Sequence, residues 1–156
     1  MTPDYPRTLD PSRDILGERI VNAPLARVWA AWTDPAQIPL WWGPQGFTCA
    51  TKEIDIRSGG QWRFTMIGPD GTRWENRVRF AKITPQTVID YFIDDDGAGV
   101  VAFPASARFT PMGDKTKVEM HSRFASPEAL AAMEKYRARE GLHSTLSCLD
   151  AYLQAA

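Results

Sequence analysis

Residues 61–80 of this chain read QWRFTMIGPDGTRWENRVRF. Apolar and polar side chains alternate through residues 61–66 and again through 74–80, which is the period of a β-strand with one buried face. Between these runs lies Gly68-Pro69-Asp70-Gly71, in which proline and glycine occupy positions that favour a type I turn. The stretch therefore predicts a β-hairpin in the middle of the chain.

The same period of two extends on both sides of this hairpin and predicts a large sheet. A first strand is predicted at residues 14–21, and later strands at 87–93, 100–109 and 115–124. The connections between these later strands have hairpin length and composition. Strands joined only by such turns must be antiparallel, because a parallel crossover needs a dozen or more residues.

Helical patterns flank the predicted sheet. The spacing i, i+3, i+4, i+7 of a helix face is found at Leu25, Val28, Trp29 and Trp32. Asn22 is expected to cap this helix, and a second short helix is expected to place Ile38, Trp41 and Trp42 on one face. Ser126-Pro127-Glu128 predicts the start of a last helix that runs to about residue 153. This order predicts an α+β fold, with a curved sheet around the long helix and an apolar pocket between them.

Length and charge narrow the class of protein. The 156 residues suit one domain at 13–156, preceded by a loose leader at 1–12 that carries three prolines. The 18 basic and 19 acidic residues give no electrostatic case for nucleic acid or an anionic membrane as partner. No apolar run approaches the ~20 residues that span a bilayer, and no signal peptide is recognisable, so a cytoplasmic location is predicted.

Specific motifs give the chain a family resemblance. The residues that carry it are Arg19, Ala23-Pro24, Val28-Trp29, Trp32-Thr33-Asp34-Pro35, Trp41-Trp42-Gly43-Pro44, Asp55, Arg57, Gly59-Gly60, Trp62-Arg63 and Gly68-Pro69-Asp70-Gly71. With them the chain resembles the SRPBCC superfamily of START and birch-pollen-allergen-like proteins, and within it the homologues of the activator of the heat-shock-protein-90 ATPase. The resemblance implies a helix-grip fold with an internal cavity.

The inward face of the strands and the last helix supply the candidate ligand-binding residues. The middle of the helix stripe is small or polar where tight packing would need large apolar residues, so it is expected to leave space opposite the strand aromatics. The candidates are Trp42, Trp62, Phe64, Met66, Trp74, Asn76, Val78, Tyr91, Phe103, Met120, Arg137, Gly141 and Thr145. Each of them also fits a filled core without a cavity.

Residues suited to chemistry are few. The two histidines and two cysteines lack the spacing of metal ligands, so neither a metal nor a cofactor is expected. His121 alternates with charged residues and is predicted to be exposed. Glu53 and Asp55 are expected to point outward in an ion-paired ladder, with Arg63 as a candidate partner. In the reversed register, Asp55 would enter the cavity as a weak candidate for acid–base catalysis.

Three functions fit these observations. The leading hypothesis is a protein that binds a small apolar or aromatic molecule without a cofactor. The first alternative is a cofactor-free enzyme of the cyclase, hydrolase or lyase type that uses a pocket carboxylate. The second is a co-chaperone-like domain that binds a heat-shock ATPase, and a homodimer is possible under any of them.

Overall fold

The computed structural model describes residues 5–97, 99 and 101–155. Its strands are β1 (Asp14–Val21), β2 (Thr48–Ile54), β3 (Gln61–Ile67), β4 (Arg73–Thr84), β5 (Val88–Asp94), β6 (Phe103–Met112) and β7 (Lys115–Arg123). They form one curved sheet in the order β1-β7-β6-β5-β4-β3-β2, and all neighbouring strands are antiparallel. The predicted antiparallel sheet is therefore confirmed.

Helices cover the concave face of the sheet. They are α1 (Leu25–Thr33), α2 (Pro127–Glu134) and α3 (Ala138–Ala155), and a 3₁₀ turn at Ile38–Leu40 follows α1. Val28 and Trp32 of α1, and Leu146, Leu149 and Leu153 of α3, are buried against the inward side chains of the strands. The α+β helix-grip fold predicted from the sequence is thus confirmed, and it gives the sheet a filled concave side and an outer convex side.

The long helix lies closest to the sheet at β1. A Cβ atom on Gly17 would come within 2.8 Å of Leu142 Cδ2, a separation that real side chains essentially never show. Glycine at this position therefore permits the close approach of α3. Further along, Arg19 Nε donates to Asp150 Oδ2 at 2.9 Å and ties the same two elements together.

Three helix predictions need correction. The last helix is not continuous, because Arg137 adopts a left-handed backbone with φ of 57° and separates α2 from α3. The second short helix is only the 3₁₀ turn, although Ile38, Trp41 and Trp42 are all buried as expected. The residue that precedes α1 as its N-cap is Pro24 rather than Asn22, and it makes no side-chain cap bond.

The convex face is partly covered by residues 5–12, which we call the leader. Pro6 is buried, and the Tyr5 ring lies 5.5 Å from the Phe92 ring. Arg7 donates to Asp90 Oδ2 and to Ser106 Oγ, both at 2.7 Å. This part of the chain is therefore attached to the sheet rather than loose.

The leader also changes the environment of His121. This residue faces the convex side, as the alternation of β7 predicts, but its side chain is 0% exposed. The prediction of an exposed His121 is wrong, because the face on which it lies is covered by another segment of the chain.

Candidate functional site

An apolar wall runs along the concave side of β3 and β4 and emerges into solvent at their hairpin turn. The cross-strand pairs are Trp62 with Val78, Phe64 with Asn76 and Met66 with Trp74, so these six side chains share one face. Burial falls along this series. Trp62, Phe64 and Val78 are fully buried, Met66 and Asn76 are half-buried, and Trp74 is 50% exposed.

A loop and a helix terminus border this open end of the wall. Gly43 begins the loop of residues 43–47, and a Cβ on it would lie 3.3 Å from Met66 Sδ. The amide of Gln45 donates to Ser144 Oγ at 2.8 Å, and the nearest atom to a Cβ on Gly141 would be Pro44 Cγ at 3.6 Å. The loop therefore bridges the hairpin and the start of α3.

Helix α2 joins the side of the open end that carries Phe124 to α3, which begins beside the loop of residues 43–47. It follows Phe124, whose ring lies 4.7 Å from the half-buried ring of Phe103, and it leads into α3 beside Pro44. All eight residues of α2 are described, and none of them is buried. Its half-buried apolar residues include Leu130 and Met133. A short helix with so little burial, joined to α3 through the left-handed Arg137, is only weakly held in the fold.

Deeper in the fold, the concave side is filled by aromatic rings centred on Trp42. The Trp42 ring lies 5.6 Å from Trp32, 5.7 Å from Trp41, 5.8 Å from Trp62 and 6.4 Å from Tyr91. The gaps in this region are lined by Trp32, Ile38, Trp42, Trp62, Val78, Phe80, Ile89 and Tyr91, and the cavity volume open to a water-sized sphere is about 0 Å³. The internal cavity expected from the sequence is therefore not open in the described structure.

The structure divides the predicted site residues into three groups. Those buried in the core are Trp42, Trp62, Phe64, Val78, Tyr91, Met120 and Thr145. Those half-buried around the open end are Met66, Asn76, Phe103 and Gly141. The exposed ones are Trp74 and Arg137. The inward placement expected for Arg137 is wrong, because the break in the helix turns its side chain to solvent with 81% exposure.

Polar groups in the filled interior are few. Thr145 Oγ1 donates to the carbonyl of Gly141 within its own helix, so its hydroxyl proton is not available to a ligand. Burial raises the pKa of the Tyr91 hydroxyl far above its ordinary value, so this group is a donor rather than an anion. Trp32 Nε1 is buried without a hydrogen-bond partner among the described residues, and no feature of the sequence pointed to it.

Asp55 and Glu53 point outward, and the Cys49 thiol is protonated. Asp55 is 51% exposed and accepts from Arg57 Nε at 2.6 Å, so it takes the outward orientation and gives no support to acid–base chemistry in the pocket. Glu53, also outward, pairs with Arg63 at 3.7 Å. Burial raises the pKa of the Cys49 thiol to about 12, which keeps it protonated.

The described residues contain neither a metal-binding cluster nor a helix that could span a membrane. Within residues 5–97, 99 and 101–155, no cluster of three or more His, Cys, Asp or Glu side chains is placed to hold a metal ion. In the same part of the chain, no helix has the length and apolarity to cross a bilayer.

The curved antiparallel sheet, the helix across its concave side and the apolar wall at its open end define a helix-grip protein. The chain belongs to the family described as activator of Hsp90 ATPase homolog 1-like protein, which matches residues 22–154. This confirms the resemblance seen in the sequence. No curated protein matches the chain.

Solved structures similar to this chain come from several bacteria. A solution structure from Arthrobacter aurescens is 26% identical with a TM-score of 0.85, over 93% of this chain and 88% of the other. A crystal structure from Mycobacterium smegmatis is 25% identical with a TM-score of 0.81, over 92% of each chain. A Silicibacter pomeroyi protein named AHSA1, at 22% identity and a TM-score of 0.74 over 91% and 98%, shares the fold.

Proposed function

We propose that this chain binds a small, neutral, apolar or aromatic molecule at the open end of its concave face, between the β3–β4 wall and α2. The observation that carries this proposal is the position of Trp74. Its side chain is half-exposed, yet it continues the row of inward side chains that includes the buried Phe64 and Trp62. A large exposed aromatic at the edge of a concave apolar surface is typical of ligand sites.

The chemistry of the wall favours a neutral ligand. Met66, Trp74 and Phe103 are uncharged and offer apolar contact surface, and the Asn76 amide already donates to the carbonyl of Trp74 at 3.1 Å. The buried carboxylates Asp14, Asp90 and Asp94 lie on the convex side of the sheet, where they pair with arginines. A charged ligand would lose its hydration at the wall without gaining a partner there.

The filled interior implies that the ligand enters from the end and not into a preformed chamber. Helix α2 has no buried residue, so moving it costs little burial, and the backbone at Arg137 supplies the joint about which it can turn. Trp42 is the next ring inward from the wall, and its displacement would admit a ligand toward the unpaired Trp32 Nε1. A ligand with one acceptor atom is therefore favoured over a pure hydrocarbon.

The other two hypotheses have less support. An enzyme would need a carboxylate on the wall, and Asp55 points away from it. Binding to a heat-shock ATPase and homodimer formation are not tested by the contacts described above and stay predictions.

The proposal is tested by titration with N-phenyl-1-naphthylamine, a neutral fluorophore whose emission rises in apolar surroundings. The wild-type protein is expected to bind it, and Trp74→Ala is expected to weaken binding about tenfold, or about 1.4 kcal/mol. The loss reflects the removal of half-exposed aromatic contact surface rather than a change in folding.

Met112→Ala is the matched control, since Met112 is also about half-exposed (47%) but lies away from the wall. Met112 lines a separate hollow of about 270 Å³ with Glu18, Arg19, Ile20 and Lys117. Equal binding by wild type and Trp74→Ala, together with weaker binding by Met112→Ala, would place the probe in that hollow and contradict the proposal.

A further inference from the structure

The convex face carries a buried polar cluster that the proposed ligand site does not use. Its centre is His121 of β7, and its other members are Asp14 of β1, Arg108 of β6 and Arg123 of β7. Asp14 and His121 side chains are both 0% exposed, and that of Arg123 is 10% exposed. The leader, residues 5–12, covers this polar cluster.

Both ring nitrogens of His121 are engaged. Nδ1 lies 3.3 Å from Arg108 Nη2, and Nε2 lies 2.7 Å from Asp14 Oδ2. A guanidinium can only donate, so Nδ1 must accept, and the single proton of the neutral ring is then on Nε2, where it is donated to Asp14. The surroundings therefore select the neutral imidazole with its hydrogen on Nε2.

The same three side chains that surround His121 hold the backbone of the leader. Arg108 Nη1 donates to the carbonyl of Pro6 at 3.1 Å, and Arg123 Nη2 donates to the carbonyl of Thr8 at 2.8 Å. Asp14 Oδ2, the oxygen that accepts from His121, also accepts from the amide of Asp10 at 2.9 Å. Three successive attachments of the leader thus depend on one cluster.

A second proton on His121 would disturb these attachments directly. It would have to go to Nδ1, where it would replace an accepted hydrogen bond by two N–H groups pointing at each other. It would also place an imidazolium beside the Arg108 cation, on a side chain that is 0% exposed to solvent. Arg108 would have to move away, and Arg108 holds Pro6.

We infer that the leader is a proton-released strap: protonation of His121 detaches residues 5–12 from the convex face of the sheet. The attached and detached states differ in the hydrogen bonds of Pro6, Thr8 and Asp10, and neutral His121 favours the attached one.

The charged groups around the cluster set the pH at which His121 is protonated and the strap is released. Burial lowers the pKa of His121, the Arg108 and Arg123 cations lower it further, and Asp14 opposes them. Burial alone would raise the pKa of Asp14 and of Glu119, but their partners together outweigh it. These partners are Arg123, the Asp10 amide and His121 for Asp14, and Arg108 and Lys117 for Glu119. Hydrogen bonds from Ser12 and Arg13 lower the pKa of Asp10. Arg7 and Asp90, which pair with each other, are also near the strap, and the Arg79 guanidinium lies over the Phe92 ring that Tyr5 contacts.

The sign of the effect follows from linkage. The pKa of His121 lies below its ordinary value while the strap is attached, mainly because of burial, and release exposes the ring to water and so raises the pKa toward that value. Protons therefore bind preferentially to the released state, and the stability of the attached state is fully present above the ordinary value of 6.5 and falls as the pH drops below it.

The test is hydrogen exchange of the Asp10 amide by NMR, corrected for the intrinsic rate at each pH. Its protection is expected to fall about tenfold between pH 7.5 and pH 5.0, with a midpoint that coincides with the titration of the His121 ring signals. His143, the other histidine, is exposed and serves as the reference resonance in the same sample.

His121→Gln is the matched variant, because its amide can donate to Asp14 and accept from Arg108 but cannot take up a proton in this range. It should keep the Asp10 amide protected at both pH values. The inference is overturned if protection persists while His121 becomes protonated, if His121 stays neutral to pH 5.0, or if His121→Gln loses protection on acidification as the wild type does. Should the variant not fold, coincidence or separation of the two wild-type midpoints decides the question.

Discussion

Trp42→Ala is expected to lower the free energy of unfolding by about 3–5 kcal/mol, the range for removing a large aromatic from a filled core. The Trp42 ring contacts the rings of Trp32, Trp41, Trp62 and Tyr91, and the gaps around it admit no water-sized sphere. Its neighbours belong to different elements, so they cannot close the space without moving helix and sheet. Urea unfolding followed by circular dichroism measures the loss.

Two comparisons sharpen this prediction. Trp74→Ala removes the same side chain from a half-exposed position and should cost less than about 1 kcal/mol. Indole added at millimolar concentration should raise the melting temperature of Trp42→Ala but not of the wild type, because an apolar cavity of matching shape binds such compounds. A loss below 1 kcal/mol for Trp42→Ala would show that the interior is not filled as described.

Asp14→Ala is expected to have an effect of similar size, about 3–5 kcal/mol, for an electrostatic reason. The substitution leaves the Arg123 guanidinium, the His121 Nε2–H and the Asp10 amide without their shared acceptor in a buried site. Removing one partner of a buried ion pair is far more costly than removing a surface pair. Denaturant unfolding at pH 7 measures the effect.

Asp55→Ala is the control, since it breaks an exposed pair with Arg57 and should cost at most about 1 kcal/mol. The pH dependence gives a second check. The pKa of Asp14 is lowered in the folded protein, so its contribution is present above the ordinary value of 3.8 and is lost as the pH falls through the folded value. The difference between wild type and Asp14→Ala should therefore shrink below pH 4, and a constant difference would contradict the assignment.

Strand β3 was predictable because its large apolar side chains lie on one face. Trp62 and Phe64 alternate with Arg63 and Thr65, and this period survives in the observed β3. Short turns then left antiparallel pairing as the only arrangement. The same reasoning identified the face of His121 correctly, but it could not show that a distant segment covers that face, because the leader lacks any periodic pattern.

The break between α2 and α3 could not be predicted. Residues 135–137 read Lys-Tyr-Arg, with neither glycine nor proline to mark an interruption, and an arginine rarely adopts a left-handed backbone. This break explains why Arg137 is exposed. It also changes the meaning of Gly141, which lies beside Pro44 of the bordering loop rather than in the middle of a continuous stripe over the sheet.

The inward face of β3 and β4 was predicted correctly, but the shape of the interior was not. Small and polar positions on the last helix suggested an internal chamber, whereas Trp42 and its neighbouring rings occupy that volume. The size of these rings and their positions on separate elements determine whether space remains, and a single sequence does not contain that information. Trp74 is a second example. Alternation predicted that it lies on the inward face, but not that it lies at the exposed end of that face.

The most direct test of the proposed ligand site uses methionine residues labelled with ¹³C at the methyl group. Met66 lies on the wall, Met133 on α2, Met120 in the core and Met112 on the separate hollow. On titration with N-phenyl-1-naphthylamine, the methyl signals of Met66 and Met133 are expected to shift together with one dissociation constant, while that of Met112 stays fixed. Saturable shifts at Met112 with Met66 unchanged would contradict binding at the open end of the concave face.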